Sequence, residues 1–310
     1  MDRFLVTGGA GFIGSHIVEA LVKQGKYVRV LDNFSSGKIS NLKDLGEKVD
    51  ILRGDICSGA TCLQATKGID YVLHQAALRS VPQSMLKPHD YNRVNIDGTL
   101  NMLEAARQNK VKRLVFASSS SVYGDIKQFP EKEDFYPELI SPYALSKLAG
   151  EYYCRIFSRN FGLSTIALRY FNVFGPRQAL DDDYAVVIPK FINCLLHDQP
   201  CPIFGNGRQS RDFTYVQNVV SANLLAAGAK INFGIFNVAA GKDTTVLELV
   251  RILNRILGKN IPPRLLPVRP GDVFRTLADI SQTSRALKFK PTVSLLEGLK
   301  KTVKFWAENG

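Results

Sequence analysis

The stretch Phe4-Leu-Val-Thr-Gly-Gly-Ala-Gly-Phe-Ile-Gly14 decides how this chain is read. A short apolar run, residues 4–6, passes straight into a glycine cluster and then into a helical pattern over 15–24. Gly9, Gly11 and Gly14 satisfy GxGxxG, while Gly8, Gly11 and Gly14 satisfy GxxGxxG. Glycine at these places permits a tight turn, close approach of a pyrophosphate to the backbone, and packing of helix on strand. The helix start, at Phe12 and Ile13, then offers free N–H groups to the phosphates. Asp32 ends the second apolar run at about the spacing where a carboxylate takes the adenosine ribose hydroxyls. Asn33 follows it, with no arginine for a 2′-phosphate, which favours NAD over NADP. Asp55 and Ile56, after the third run, are expected beside the adenine.

Outward from this motif the pattern repeats. Residues 27–31, 49–52, 71–74, 113–117 and 165–168 read as further strands, and 92–108 and 142–161 carry helical spacing. Such alternation predicts an α/β fold, a doubly wound parallel sheet of the Rossmann type. After Gly175 the texture changes: Pro176, Pro189, Pro200, Pro202, Gly205 and Gly207 cluster with aromatics. This predicts a smaller α/β substrate-binding lobe. The expected division is 1–171 for the cofactor and mainly 172–310 for the substrate, with later segments returning to the first domain. Residues 245–257 and 293–306 read as amphipathic, structural helices.

The 310 residues suffice for one large domain or two smaller ones, and 45% hydrophobic with 22% charged residues is ordinary for a globular enzyme. No apolar stretch approaches the roughly 18 residues of a membrane span, so no membrane partner is expected. The chain enters its first strand at once, which does not read as a signal peptide. Five scattered cysteines, Cys57, Cys62, Cys154, Cys194 and Cys201, form no CxxC pair, so a reduced, cytoplasmic setting is expected. The net charge of +12 is spread along the chain. Its mild concentration at Lys300, Lys301 and Lys304 reads as a solvated helix face, and no nucleic-acid partner is expected. His16, His74, His89 and His197 lack metal-ligand spacing, and no metal is expected.

A second stretch carries the chemistry. Phe116-Ala-Ser-Ser-Ser-Ser-Val-Tyr-Gly-Asp125 sets four hydroxyls in a row after an apolar run, with no carboxylate among them. In an open parallel sheet this is the edge where ligands sit. Downstream, Ser141-Pro-Tyr-Ala-Leu-Ser-Lys147 starts a helix with Tyr143 and Lys147 four apart on one face. A phenol beside an ammonium group and a cationic nicotinamide is expected to ionise more easily than a free one. It could then take a proton from an alcohol while a serine hydroxyl holds the same oxygen.

Together these motifs resemble the extended short-chain dehydrogenase/reductase superfamily, and within it the nucleotide-sugar 4-epimerases of the UDP-N-acetylglucosamine/UDP-glucose type. The likeness also runs through His74-Gln-Ala-Ala-Leu-Arg-Ser-Val-Pro82, Arg169-Tyr-Phe-Asn-Val-Phe-Gly-Pro-Arg177, Gly205-Asn-Gly-Arg-Gln-Ser-Arg-Asp-Phe213 and Arg269-Pro-Gly-Asp272. It implies a catalytic set of Ser119, Tyr143 and Lys147, and bound NAD touched also by Ala76, Ala77, Arg79 and Tyr170. For a UDP-sugar it implies Ser119, Ser120, Tyr143, Asn172, Phe204, Arg211, Arg269 and Asp272. It further places Thr276 where a bulky tyrosine narrows the pocket of galactose-restricted members, so room for a 2-acetamido group is expected. Arg79 stands where some N-acetyl-preferring members carry glycine. A homodimer joined through helices that include the one bearing Tyr143 is implied as well.

The missing carboxylate separates this reading from its neighbours. Related dehydratases place an acidic pair at positions 120 and 121, and UDP-glucuronate decarboxylases a glutamate at 121; Ser120 and Ser121 supply neither acid nor base. Reversible oxidation at C4 is therefore expected, on UDP-GlcNAc/UDP-GalNAc and UDP-Glc/UDP-Gal. UDP-glucuronate 4-epimerases share the serine row but often carry threonine at 172 and an arginine near 179, where this chain has Asn172 and Ala179. A non-catalytic NAD-sensing or RNA-associated protein on the same fold could dispense with Tyr143 and Lys147, and this chain has both.

Overall fold

Strands covered on both faces need continuous apolar runs, and the chain supplies them. The computed structural model describes residues 1–179, 187–268 and 273–309. Its main sheet takes, in chain order, β1 (Arg3–Thr7), β2 (Tyr27–Asp32), β3 (Val49–Arg53), β4 (Tyr71–His74), β5 (Arg113–Ser119), β6 (Ser164–Tyr170) and β7 (Phe233–Val238). Across the sheet they lie β7-β6-β5-β4-β1-β2-β3, every neighbouring pair parallel. The order reverses between β1 and β4, which opens a crevice at their carboxyl ends. Register sets Thr7 beside His74, and Ser119 beside Tyr170.

Helices α1 (Phe12–Lys23), α2 (Gly59–Thr66), α3 (Gly98–Gln108), α4 (Pro142–Phe161) and α5 (Val216–Gly228) sandwich this sheet. Ile17, Leu21 and Val219 from α1 and α5 fill one core with Val115 and Ala117. Met102, Leu103, Cys154 and Phe157 from α3 and α4 fill the other with Leu114 and Phe116. Alternate residues of β5 thus point to opposite faces, each fully buried leucine-sized side chain contributing about 1.5–3 kcal/mol. The smaller lobe has its own core of Phe174, Phe191, Phe213, Leu249 and Leu299, drawn in part from the helices Val187–Leu196, Val246–Leu257 and Leu295–Asn309.

Several features differ from the sequence pattern, which did not mark α2, α5 or the helix Val187–Leu196. Strand β7 was not marked either, because only its last three residues are buried and Gly234 and Asn237 interrupt its apolar character. The expected helix over 92–108 is in fact a π-helical stretch, Asn92–Asp97, leading into α3. Its widened turn puts Asn95 where Oδ1 accepts from Leu78 N at 2.8 Å and Nδ2 donates to Leu78 O and Ser146 Oγ, both at 2.9 Å. The loop after β4 is thereby tied to α4; hydrophobic period alone cannot show an inserted turn of this kind. All five cysteines are free thiols. Among the described residues, no helix is long and apolar enough to cross a membrane.

Candidate active site

The glycine turn comes first, because it fixes what can lie above it. Gly8 has φ +64, and a Cβ there would stand 2.9 Å from Ala76 N. A Cβ on Gly14 would lie 2.1 Å from Gly8 O. Glycine at both positions is what leaves the backbone cradle open, with the α1 N-terminus facing it. Asp32 is buried at the end of β2, its Oδ2 accepting from Ala10 N (2.9 Å) and its Oδ1 from Phe34 N (2.8 Å). Two amides therefore aim the carboxylate while lone pairs remain for ribose hydroxyls. Asn33 Nδ2 donates to Asp55 Oδ2 at 2.9 Å. Although burial works against it, the Cys57 N–H and the Asn33 amide hold the Asp55 carboxyl below the usual carboxylate range.

A cavity of about 780 Å³ runs from this turn across the carboxyl ends of the strands. It is lined by Gly8, Gly11, Phe12, Ile13, Gly14, Asp32, Asn33, Asp55, Ile56, Ala76, Ala77, Arg79, Tyr143, Lys147 and Tyr170. The structure thus brings into one space every residue for which the sequence implied a cofactor contact. Arg177, Phe305 and Trp306 line it too. Sequence reasoning missed all three, since the last two sit on a carboxy-terminal helix far from the glycine motif in the chain.

Helix α4 carries Tyr143 and Lys147, the side chains expected to react. Ser141 caps it, its Oγ accepting from Ala144 N at 3.1 Å, and Pro142 sets the first turn. Tyr143 is buried, its ring edge-on to Tyr91 at 6.3 Å. Tyr91 in turn hydrogen-bonds Ser80 through its hydroxyl, at 2.6 Å to the carbonyl and 3.0 Å from the N–H. Lys147 Nζ donates to Ala117 O at 2.8 Å and stands 5.9 Å from the Tyr143 ring centroid. Burial lowers the Lys147 ammonium to about 8.

The chain by itself does not favour the phenolate. Burial pushes Tyr143 up from its ordinary value, opposed by the Ser119 hydroxyl and by Arg79, with Tyr91 adding to the rise. In the chain alone, exclusion of water outweighs these polar neighbours, and Lys147 is anchored to a carbonyl instead of reaching the phenol oxygen. Ser119 closes β5, its Oγ accepting from Ser121 N at 3.1 Å. Ser119 is the last residue of β5 and Ser120 the first of the turn that follows, and both stand outside the lining of the large cavity. Tyr170 lines that cavity, yet its hydroxyl is taken by Gln75 (3.2 Å) and Asn223 (2.8 Å).

A second cavity of about 270 Å³ lies in the smaller lobe and joins Asn172, Phe204 and Arg211 with Pro202, Gln209 and Gln178. Asn172 adopts φ +34, and its Nδ2 donates to Thr276 Oγ1 at 3.0 Å and Asp212 O at 3.3 Å. Thr276, which lines neither cavity, is thus tied to a residue that does. Arg211 Nη1 donates to Ser210 O and Phe274 O. Gln178 Oε1 is buried with no donor among the described residues, and it escaped the sequence reading. Arg269 and Asp272 lie outside the described residues.

Two of the histidines, His74 and His16, stand among backbone and hydroxyl partners. His74 sits between Thr7 Oγ1 (2.7 Å) and Thr99 Oγ1 (3.2 Å), and burial lowers it to about 3. His16 contacts Pro176 O at 3.0 Å and is lowered to about 4 by burial. Among the described residues, no group of three or more histidines, cysteines or carboxylates is placed to hold a metal.

Comparison with known proteins converges on one family. The family profile described as NAD dependent epimerase/dehydratase matches residues 4–239. A putative UDP-glucose 4-epimerase of Methanocaldococcus jannaschii is 39% identical over 98% of both chains. The solved UDP-N-acetylglucosamine 4-epimerase of Methanobrevibacter ruminantium M1, in complex with UDP-N-acetylmuramic acid, is 43% identical with a TM-score of 0.96, covering 100% of this chain and 99% of its own. The UDP-glucose 4-epimerase of Thermotoga maritima with UDP-glucose is 38% identical with a TM-score of 0.94, covering 99% of each chain.

Proposed function

Because this chain belongs to the NAD-dependent epimerase/dehydratase family, we propose that it is a UDP-sugar 4-epimerase acting on UDP-Glc/UDP-Gal and UDP-GlcNAc/UDP-GalNAc. The observation that carries the reading is the meeting of Tyr143 and Lys147 in the cofactor cavity, next to a strand end that bears hydroxyls and no carboxylate.

When bound, NAD supplies the hydride acceptor and donor at C4, together with the positive charge that helps the phenol to ionise. The glycine turn, Phe12 and Ile13 hold its pyrophosphate, Asp32 its ribose, Asp55 and Ile56 its adenine side, and Ala76, Ala77, Arg79 and Tyr170 its nicotinamide side. Tyr143 takes the proton from the C4 hydroxyl and later returns it. Ser119 and Ser120 hold the oxygen through both directions of the reaction. Lys147 keeps its charge beneath the phenol at neutral pH, since even its lowered value of about 8 lies above 7. With no acid or base at 120 and 121, the 4-keto sugar can only turn about its diphosphate linkage and be reduced again.

We assign substrate binding to the smaller lobe. Arg211 and Arg269 suit the diphosphate as charge-assisted donors, with Asn172 and Asp272 completing the uridine diphosphate contacts and Phe204 beside the uracil. Thr276 leaves room for a 2-acetamido group. A second copy of the chain is assigned to the outer face of α4.

The test is an assay of purified protein on UDP-Gal, UDP-GalNAc and UDP-GalA without added reductant. Conversion of the first two, abolished by Tyr143→Phe with a fall of about 10²–10⁴ in kcat, is the expected result. Turnover of UDP-GalA alone, or wild-type turnover by Tyr143→Phe, contradicts the assignment.

A further inference from the structure

Helix α4 carries Tyr143, Lys147 and Glu151 at successive spacings of four, on a single face. Each addresses the end of β5: Tyr143 stands by Ser119, Lys147 Nζ bonds Ala117 O, and Glu151 Oε1 accepts from Ser118 Oγ. Tyr143 and Lys147 have roles in the reaction. Glu151, 1% exposed, has none: it lines neither cavity itself, although Ser118, which it holds, lines the larger one.

A buried carboxylate must be paired, and Arg169 of β6 pairs it in a fork. Arg169 Nε meets Oε1 at 2.9 Å and Nη2 meets Oε2 at 2.8 Å. The guanidinium is itself fixed, with Nη1 on Glu133 O at 3.2 Å and its plane over the Tyr123 ring at 4.7 Å. Helix and strand also touch closely here, because a Cβ on Gly150 would fall 2.3 Å from Phe116 Cζ. A buried ion pair of this kind adds little net stability over apolar packing, so geometric specificity is the better reason for its presence.

We propose that Glu151 is a positioning residue for the reaction: clamped by Arg169, it holds Ser118 and so sets the adjoining Ser119 at a fixed distance from Tyr143. One helix face then determines both members of the serine–tyrosine pair. The hydroxyl of Ser118 serves the clamp and that of Ser119 the substrate, so neighbouring serines point to opposite sides of β5. This inference rests on the reading that Ser119 and Tyr143 act on the C4 oxygen.

Ser118→Ala deletes one hydrogen bond and leaves the Glu151–Arg169 fork whole, whereas Glu151→Gln weakens the fork itself. In cofactor-loaded enzyme both variants are expected to lose about 10- to 100-fold in kcat, as small misplacements of reacting groups do. KM for the UDP-sugar and cofactor content stay unchanged. The acid limb of the kcat pH profile moves upward, because Ser119 then supports the phenolate less. A lowered Tm with kcat and pH profile intact overturns the proposal; if Glu151→Gln does not fold, Ser118→Ala gives the same readout. A crystal structure of Ser118→Ala reads the positioning without turnover: Ser119 Oγ displaced from Tyr143 supports it, and Ser119 unmoved overturns it. Wild-type activity in Tyr143→Phe would locate the failure in the choice of base and not in the clamp.

Discussion

Glu131 shows how a single side chain can govern the stability of this molecule. It is 1% exposed, and its Oε2 has no hydrogen-bond partner among the described residues. Its near neighbour Asp212 is buried too, but takes N–H bonds from Ala240, Gly241 and Ala278, which favour the charged form. Burial nevertheless pushes Asp212 up to about 7, and Glu131, without such donors on Oε2 among the described residues, keeps its proton to higher pH still. Burial, with the Asp212 charge, pushes Glu131 up to about 8, while Arg211 and Arg169 pull it down. Unfolding returns it to about 4.5. Between those values the folded chain keeps a proton that the unfolded chain has released, so stability falls as pH rises through the window and levels off above it. Each unit of displacement is worth about 1.4 kcal/mol. Glu131→Gln is expected to flatten the decline of Tm between about pH 5 and 8; a slope equal to that of the wild type would show that the proton sits elsewhere. At Thr276 the expectation concerns specificity. On the proposed role of Thr276, Thr276→Tyr would narrow the sugar space beside Asn172 and remove the bond to it, and turnover of UDP-GalNAc should drop about 10- to 200-fold more than that of UDP-Gal. An equal loss on both sugars would reject the steric account. Neither Glu131 nor Glu151 could be singled out from the sequence, because their partners come from segments distant in the chain. Tyr143 and Lys147 could, because helix geometry alone puts them together.

Among the elements, the turn from β1 into α1 is the least tolerant of change. Gly14→Ala would press a methyl group into Gly8 O at 2.1 Å, forcing the helix away from the turn that cradles the pyrophosphate. Trp306 provides the readout: it is the one tryptophan of the chain and lines the same cavity. NAD should change its fluorescence saturably in the wild type and not in Gly14→Ala. An unaltered titration in the variant would place the cofactor elsewhere. Elements with strong local signals were legible before the fold was known. The helix Pro142–Phe161 has a serine cap, a proline at its first position and Gly162 at φ +70 beyond its end, and its bounds agree with the sequence pattern. Strand β7 and the π-helical turn at Asn92–Asp97 lack such marks, since one is half-exposed at the sheet edge and the other depends on contacts to Leu78 and Ser146.

For the whole molecule, the question of association lies on the outer face of α4. Leu145, Tyr152 and Ile156 form one helical stripe, exposed by 53%, 57% and 43%. A contiguous apolar stripe of this kind suits a partner surface, and a second copy burying the same stripe makes a closed pair. Ile156→Glu should convert a dimer to a monomer in sedimentation analysis, while a wild-type monomer would remove the assignment. That stripe backs the face bearing Tyr143, so the proposed association and the proposed chemistry would share one helix. The central claim is that hydrogen leaves C4 and comes back within one closed site, whichever sugar is carried. The most direct measurement uses UDP-galactose deuterated at C4, incubated with purified enzyme and no added reductant, with the product analysed by mass spectrometry and NMR. Epimerised UDP-glucose that keeps its deuterium at C4 is the predicted result. Exchange of that deuterium with solvent, or no epimer at all, would contradict the account.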